Sequence, residues 1–412
     1  MLTWTVQAAT AAAQPITTYT LPPDKLAKAH ALYLIDVWLY FAATLYGFFV
    51  LWLVLRRRWT VQFRDVAERI SRNRFLQAFI VTPLLIAVAS LLLLPPEIYG
   101  HHIGRKYGLS VQGWGSWSRD WLIQFVILAV VGSLIAWVLY AVLRHSPKRS
   151  WFYFWLAVIP IAAALTFIAP VVIDPLFNQF TPLASKHPQL VRDLQAVAHR
   201  AGIDISADRM FEMNASAKYT GSNAYVTGFG ASKRVVVWDT AISSMPPADV
   251  MFTFAHELGH YVLNHVVKGF IFAMAYCFVL FYAVYKLALV AIRRWGTGWS
   301  IRGLDDWASL PLLALIISVL LFLSAPGLNA FSRYLEHDAD IFGLEVIHGL
   351  VPDSQQVAAH SFQHLGEEWL EYPYVSKFAE LWLWNHPTNA DRVHFAATYD
   401  PWQPGRSPKF VK

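Results

Sequence analysis

Six long blocks of apolar residues divide this chain, and they constrain its fold more than any other feature. A helix needs roughly 20 apolar residues to cross a bilayer, and several blocks of about that length contain no charged residue. Of all 412 residues, 56% are hydrophobic and 15% are charged, whereas soluble domains have about 45–50% and ~25%. We therefore predict a polytopic membrane protein. Its predicted spans are Leu32–Leu55, Phe75–Leu94, Trp121–Leu143, Trp151–Ile173, Gly269–Ile292 and Trp307–Ser324.

The basic residues are arranged as membrane proteins arrange them. The chain has a net charge of +6 and an isoelectric point near 9.2, but clusters such as Arg56-Arg57-Arg58 directly follow an apolar block. Such clusters mark topology, so no nucleic-acid partner is predicted. Cys277 is the only cysteine, which excludes an intramolecular disulfide and a cysteine-rich zinc site. Any metal must be bound by His, Asp or Glu.

Two stretches of mixed composition interrupt the membrane pattern and are predicted to fold in water. The chain therefore divides into a polar lead-in (1–29), four spans (30–173), an α+β segment (174–268), two further spans (269–324) and a second aqueous segment (325–412).

The first aqueous segment contains a predicted helix and a predicted hairpin. Gln189–Ala201 has apolar residues at helical spacing. Ser222–Gly228 and Arg234–Trp238 resemble strands around the turn-forming residues 229–233. The hairpin lies just upstream of the strongest chemical signal in the chain.

That signal is the pattern His256-Glu257-Leu258-Gly259-His260. Two histidines four residues apart fall on one face of a helix and can hold one zinc ion. Glu257 then lies beside the metal, where a carboxylate can accept a proton from the attacking water and pass it to the leaving amine. The alternative is a pair of interfacial histidines on an amphipathic helix.

A third ligand is needed, because catalytic zinc usually has three protein ligands and one open position. Glu336 follows the sixth span, and Asp340 lies one helical turn later. In zincins with a glutamate ligand on a later helix, an aspartate at this spacing orients a ligand histidine. His337 is an alternative ligand, although it is rotated about 100° from Glu336 on a helix. A solvated acidic helix start is the alternative without a metal.

Two further groups of residues suit peptide hydrolysis. An exposed sheet edge can hold an extended substrate through its main chain; Asn223 could bond that main chain, and the small Ala224 allows close approach. His386 and Arg392 could stabilise the oxyanion formed at the attacked carbonyl. The alternative for Asn223 and Ala224 is an ordinary hairpin without a substrate, and the alternative for His386 and Arg392 is a helix-capping turn.

Six segments in this order resemble the type I CAAX prenyl proteases, which are integral-membrane zinc endopeptidases that process farnesylated proteins, and their bacterial relatives. The resemblance covers residues 95–393. Its segments are Asp174–Leu183, Ser222–Tyr225, Lys233–Thr240, His256–His260 with Asn264-His265, Ser332–Asp340 and His386–Arg392.

The resemblance implies a polytopic α-helical barrel around a water-filled chamber, with a small α+β zincin-type catalytic domain at its cap. It also implies site roles. His256, His260 and Glu336 would be the zinc ligands, and Glu257 would be the general base. Asp340 would orient a ligand histidine. Asn223 and Ala224 would contact the substrate main chain, and His386 and Arg392 would lie near the oxyanion. Eukaryotic members have seven spans, whereas six are predicted here.

The predicted function is a multi-pass membrane endopeptidase with one Zn²⁺ per chain and an extended peptide or protein substrate. Candidate roles are CAAX-type processing of lipidated proteins and membrane-protein quality control. The alternatives are a catalytically silent binding protein, which would not need Glu257, and a metal transporter, which would need ligands near mid-span. Short loops carry thirteen Lys and Arg on one side and five on the other. That bias places the catalytic segments outside the cytoplasm, whereas the resemblance implies the cytosolic side.

Overall fold

A computed structural model describes residues 15–228 and 234–411 and shows a mainly helical molecule. Six of its described helical segments are long and apolar enough to cross a membrane, as predicted. The helices are α1 (Pro23–Arg56), α2 (Trp59–Ile70), α3 (Arg74–Lys106), α4 (Trp114–His145), α5 (Ser150–Ile168), α6 (Asp174–Phe177), α7 (Pro188–Arg200), α8 (Asp239–Ser244), α9 (Pro247–Val262), α10 (His265–Trp299), α11 (Leu310–Ile347), α12 (Ser354–Glu368), α13 (Lys377–Leu383) and α14 (Asn389–Thr398).

Five of the six spanning helices are longer than the apolar blocks that predicted them, and the fourth is longer only when the π-helical turn at residues 169–173 and α6 are counted with α5. The clearest difference is α11, which continues from the membrane into the aqueous part without a break. The segment boundary predicted at residue 325 therefore falls inside a helix. Pro326 lies within α11, and a proline removes only one helical hydrogen bond, so it need not end a helix that its neighbours support.

The predicted polar lead-in contributes to the folded molecule. Its first 14 residues lie outside the described part, but α1 already begins at Pro23. Ahead of it, the main chain of Ile16 and Thr20 bonds to glutamines of α12. The Tyr19 ring packs against Gly366, where a Cβ would lie 2.6 Å from it. These contacts hold residues 16–20 against α12, in the catalytic part of the molecule.

Four short strands form one sheet in the order β1-β2-β4-β3. They are β1 (Phe180–Pro182), β2 (Met210–Met213), β3 (Ala224–Thr227) and β4 (Arg234–Trp238). β3 and β4 pair antiparallel, which confirms the predicted hairpin, although its turn lies outside the described residues. Since β3 pairs only with β4 among the described strands, its other edge is available to an added strand.

Cavities lie along the inner face of α1. One of about 450 Å³ lies between α1, α3 and α11, and one of about 650 Å³ lies between α1, α3 and Leu383; the two share Tyr40, Thr44 and Leu93 in their walls. Asp36 lines the larger cavity, while Leu34 and Trp38 are exposed on the opposite side of α1. This space agrees with the chamber that the resemblance implies.

The two helices that carry the candidate metal ligands cross at glycines. A Cβ on Gly259 of α9 would lie 3.3 Å from the Ala339 Cα, and a Cβ on Gly343 of α11 would lie 2.9 Å from the His256 backbone nitrogen. Only glycine allows backbones to approach so closely. This contact fixes the spacing between the faces that carry His256 and Glu336.

Candidate active site

Three predicted ligands meet where α9 and α11 cross. The ligand atoms of His256, His260 and Glu336 all lie within 4.8 Å of one another. His256 Nε2 is 3.2 Å from one Glu336 carboxylate oxygen, and His260 Nε2 is 3.5 Å from the other. The two Nε2 atoms are 3.2 Å apart. Two imidazole nitrogens and one carboxylate directed at a common point suit a catalytic zinc site.

The state of Glu336 also fits a metal. Its Oε2 is buried and makes no well-aligned hydrogen bond to a described residue, although the Nε2 atoms of His256 and His386 lie 3.2 Å and 3.3 Å away. A buried carboxylate oxygen without a donor is costly, and a cation at the centre of the three ligands would satisfy it. His337, the alternative ligand, packs its ring on Phe395 instead, as its rotation on the helix predicted.

Behind His256 lies a buried charged pair. Asp340 Oδ1 is 2.8 Å from His256 Nδ1, so the imidazole donates there and keeps the Nε2 lone pair for the metal. Arg392 donates to both Asp340 oxygens, at 3.0 Å from Nε and 2.5 Å from Nη2. Burial lowers the pKa of Arg392, but Asp340 raises it above its usual value, and the guanidinium stays charged.

Arg392 is thus placed on the side of His256 that faces away from Glu336. The sequence prediction put it near the oxyanion together with His386, and the structure brings only His386 to the open side. His386 Nε2 lies 3.3 Å from Glu336 Oε2, with its side chain 49% exposed. Its Nδ1 is 2.8 Å from Asn385 Oδ1, so Nδ1 donates to that amide oxygen.

Glu257 lies next to the ligands on α9 and borders an apolar cavity of about 290 Å³ together with His260. Burial raises the pKa of Glu257, while the nearby imidazoles of His256 and His260 lower it. A carboxylate with a raised pKa is a better general base near neutral pH. The cavity wall also includes residues 226–228 at the end of β3. An extended chain bound along β3 would therefore pass Glu257 and His260.

Asn223 and Ala224 lie at the start of the open edge. Ala224 is buried, and its N–H donates to Asn223 Oδ1 at 2.8 Å. That bond leaves the amide NH₂ of Asn223 as the group able to donate to a substrate carbonyl. The Asn223 carbonyl accepts from Trp238 N–H at 3.1 Å, which ties this position to β4.

The sequence predicts no role for His265, although the pair Asn264-His265 belongs to the segments that carry the resemblance. Asn264 adopts a left-handed conformation with φ of 56°, which an asparagine tolerates better than most residues. The resulting turn between α9 and α10 brings His265 Nδ1 to 3.1 Å from His260 Nδ1. The signal available in the sequence was an asparagine directly before a histidine, close after the second ligand.

Comparison with known proteins agrees with this geometry. A model of peptidase family M48 matches residues 184–399, and a model described as the CAAX prenyl protease N-terminal region, five membrane helices, matches residues 7–179. Within the described part of that second range lie four candidate spans and the shorter α2.

Relatives match over most of the chain. The uncharacterized metalloprotease YhfN of Bacillus subtilis is 32% identical over 376 residues, which is 91% of this chain and 86% of that protein. A CAAX prenyl protease 1 homolog of Dictyostelium discoideum is 26% identical over 73% of this chain and 70% of its own. The crystal structure of S. mikatae Ste24p has the same fold, with a TM-score of 0.72 at 20% identity, covering 92% of this chain and all of that one.

Proposed function

The chain belongs to peptidase family M48 and is a membrane metalloendopeptidase, and we propose that its metal is one zinc ion held by His256, His260 and Glu336. The observation that carries this proposal is the convergence of the three ligand atoms within 4.8 Å beside a general base. The donor set of two imidazoles and one carboxylate is typical of zinc peptidases. When bound, zinc supplies a Lewis acid that activates water for attack at neutral pH.

In the proposed mechanism Glu257 accepts the proton of the attacking water and later gives it to the leaving amine. Asp340, held by Arg392, fixes the tautomer and orientation of His256. His386, protonated on both ring nitrogens, donates from Nε2 to the oxyanion that forms at the attacked carbonyl, while its Nδ1 donates to Asn385. Its exposed position beside Glu336 supports this role.

The substrate is proposed to lie as an added strand on the open edge of β3. The Asn223 amide donates to a substrate carbonyl, and buried Ala224 leaves room for the approaching main chain. One side chain of the substrate then enters the cavity of about 290 Å³. Its lining includes Phe167, Val266 and Phe270, so we expect an apolar residue next to the scissile bond.

Lipidated proteins are the proposed substrate class. The similarity to CAAX prenyl proteases supports this proposal, as do the two neighbouring cavities along α1, which have room for an apolar chain. A matched pair of peptides, prenylated and not, tests it. A higher kcat/KM for the prenylated peptide is expected, and equal values would remove lipidation from the proposal.

Two variants test the chemistry in purified protein in detergent. Glu336→Ala should lose most of its zinc because a ligand is gone, whereas Glu257→Gln should keep zinc and lose hydrolysis because the base is not a ligand. Zinc is measured by elemental analysis and cleavage with a fluorogenic peptide. Full zinc content in Glu336→Ala would refute the ligand set, and wild-type cleavage by Glu257→Gln would refute the base.

A further inference from the structure

We propose that His265 is a positioning residue that holds the second zinc ligand, His260, through a bond between two imidazoles. This inference rests on the proposed zinc site. It assigns a task to a residue outside the ligand set, and it follows from the contacts of His265.

The direction of the bond follows from the metal site. His260 Nε2 faces His256 Nε2 and Glu336 at 3.2 Å and 3.5 Å, so as a ligand it carries a lone pair there. The proton of His260 is then on Nδ1, which lies 3.1 Å from His265 Nδ1. His265 accepts this bond, and its own proton is on Nε2.

The surroundings of His265 argue against a purely packing role. The residue is 4% exposed, and its Nε2 is buried without a hydrogen-bond partner among the described residues. Burying an unpaired donor costs free energy, so packing alone would favour an apolar side chain here. A nearby buried acid, Asp338, is engaged with Lys409 at 2.7 Å. The retained imidazole is explained by the bond it accepts from His260.

The two ligand histidines are therefore supported differently. His256 donates to a carboxylate, Asp340, which is itself paired with Arg392. His260 donates to a neutral imidazole. A neutral acceptor fixes the ring but transfers less electron density to it than a carboxylate, so zinc keeps more of its Lewis acidity. One ligand is held tightly by charge, and the other is oriented without added charge.

The turn geometry makes His265 a fixed rather than a mobile support. Asn264 in the left-handed conformation ends the connection from α9, and His265 is the first residue of α10. Its backbone is therefore set by a membrane-spanning helix, and its ring has little freedom to leave His260. An imidazole whose support is preorganised loses little entropy when the metal binds.

The test compares three substitutions that differ in where an acceptor lies. His265→Asn places an amide oxygen near the position of Nδ1, His265→Gln places one near the position of Nε2, and His265→Phe keeps the ring without an acceptor. We expect zinc to leave His265→Phe and His265→Gln about 10–100-fold faster than wild type. His265→Asn should stay within about threefold of wild type, because it keeps the acceptor at the required position.

The measurement is the transfer of zinc from the full-length protein to a chelating dye, with thermal unfolding of the metal-free form measured in parallel. His394→Phe, an exposed histidine on α14, controls for the loss of a histidine elsewhere. His260→Ala controls for the ligand itself and should not retain zinc.

The proposal would be overturned if His265→Phe released zinc at the wild-type rate. It would also be overturned if zinc release were accelerated equally in His265→Asn and His265→Gln. If His265→Phe does not accumulate as folded protein, the comparison of Asn with Gln decides alone. Retention of zinc by His260→Ala would instead refute the ligand assignment, so failure of the proposed site and failure of this inference remain distinguishable.

Discussion

Replacing Gly343 by alanine tests whether the crossing of α9 and α11 sets the geometry of the metal site. The added Cβ would lie 2.9 Å from the His256 nitrogen and 3.1 Å from its Cα. Both atoms are backbone, so neither can rotate away. Since non-bonded carbon contacts are optimal at about 3.5–4.0 Å, the two helices must separate locally by roughly half an ångström.

The magnitude follows from two opposing terms. Alanine gains about 1 kcal/mol of helix propensity over glycine, while overpacking a filled contact costs typically about 1–3 kcal/mol. Gly327 lies on the same helix, and a Cβ there meets nothing within 4 Å. Gly327→Ala therefore gains the helix propensity of alanine without the cost of overpacking. We expect the metal-free form of Gly343→Ala to be less stable than that of Gly327→Ala by about 1–3 kcal/mol.

The proposed zinc site should respond as well. Glu336 lies seven residues before Gly343, which is about two helical turns on the same face. Zinc–ligand distances tolerate only about 0.2 Å of error, so a displacement of this size should accelerate zinc release by about tenfold. The assays are thermal unfolding in detergent and zinc transfer to a chelator. Equal stability and equal zinc release in the two alanine variants would refute the reasoning, and so would a stability loss with unchanged zinc release.

Three further outcomes are expected. Asn223→Ala should lower kcat/KM by about one to three powers of ten without loss of zinc, and replacing the facing substrate carbonyl by a CH₂ group should add little to that loss. Glu345→Gln should cost about 2–4 kcal/mol in thermal unfolding, because the buried carboxylate accepts three main-chain N–H groups of residues 409–411 and one hydroxyl. On α12, the bond to Glu368 raises the pKa of His364 above 6.5. Although burial raises the pKa of Glu368, bonds from His364 and two serines hold it below 4.5. The pair should therefore stabilise the folded state fully between about pH 4.5 and 6.5. This stabilisation should be lost at lower pH as Glu368 is protonated and at higher pH as His364 loses its proton. In unfolding measured against pH, His364→Gln should reduce the loss of stability on the alkaline side.

The sequence predicted those parts of the site that depend on local spacing. The histidines four residues apart on one helix, and Glu336 with Asp340 one turn apart on another, share faces whatever the tertiary structure is. The six spans followed from composition and length alone. The β hairpin was also predictable, because two β-rich runs flank a turn-forming segment.

The missed features depend on contacts between elements distant in the sequence. No local pattern could show that Arg392 pairs with Asp340 behind His256, because that bond joins α14 to α11. The proposed role of His265 requires a left-handed turn at Asn264, and the tight crossing requires Gly343 to face His256. The continuity of α11 was not predicted, because the boundary at residue 325 follows the change from apolar to mixed composition.

The catalytic site is built into the membrane helices rather than suspended beside them. α11 is both the sixth candidate span and the helix that carries Glu336, and α10 begins at His265, immediately after the turn that follows α9. The peptidase family match, residues 184–399, includes both of these spans. We therefore expect a packing change between α10 and α11 within the membrane to alter zinc release, because both helices continue without a break to His265 and Glu336. Because the proposed zinc site tolerates only small displacements of its ligands, the close contact of α9 and α11 at Gly259 and Gly343 is the place where we expect a change in the spans to disturb it most.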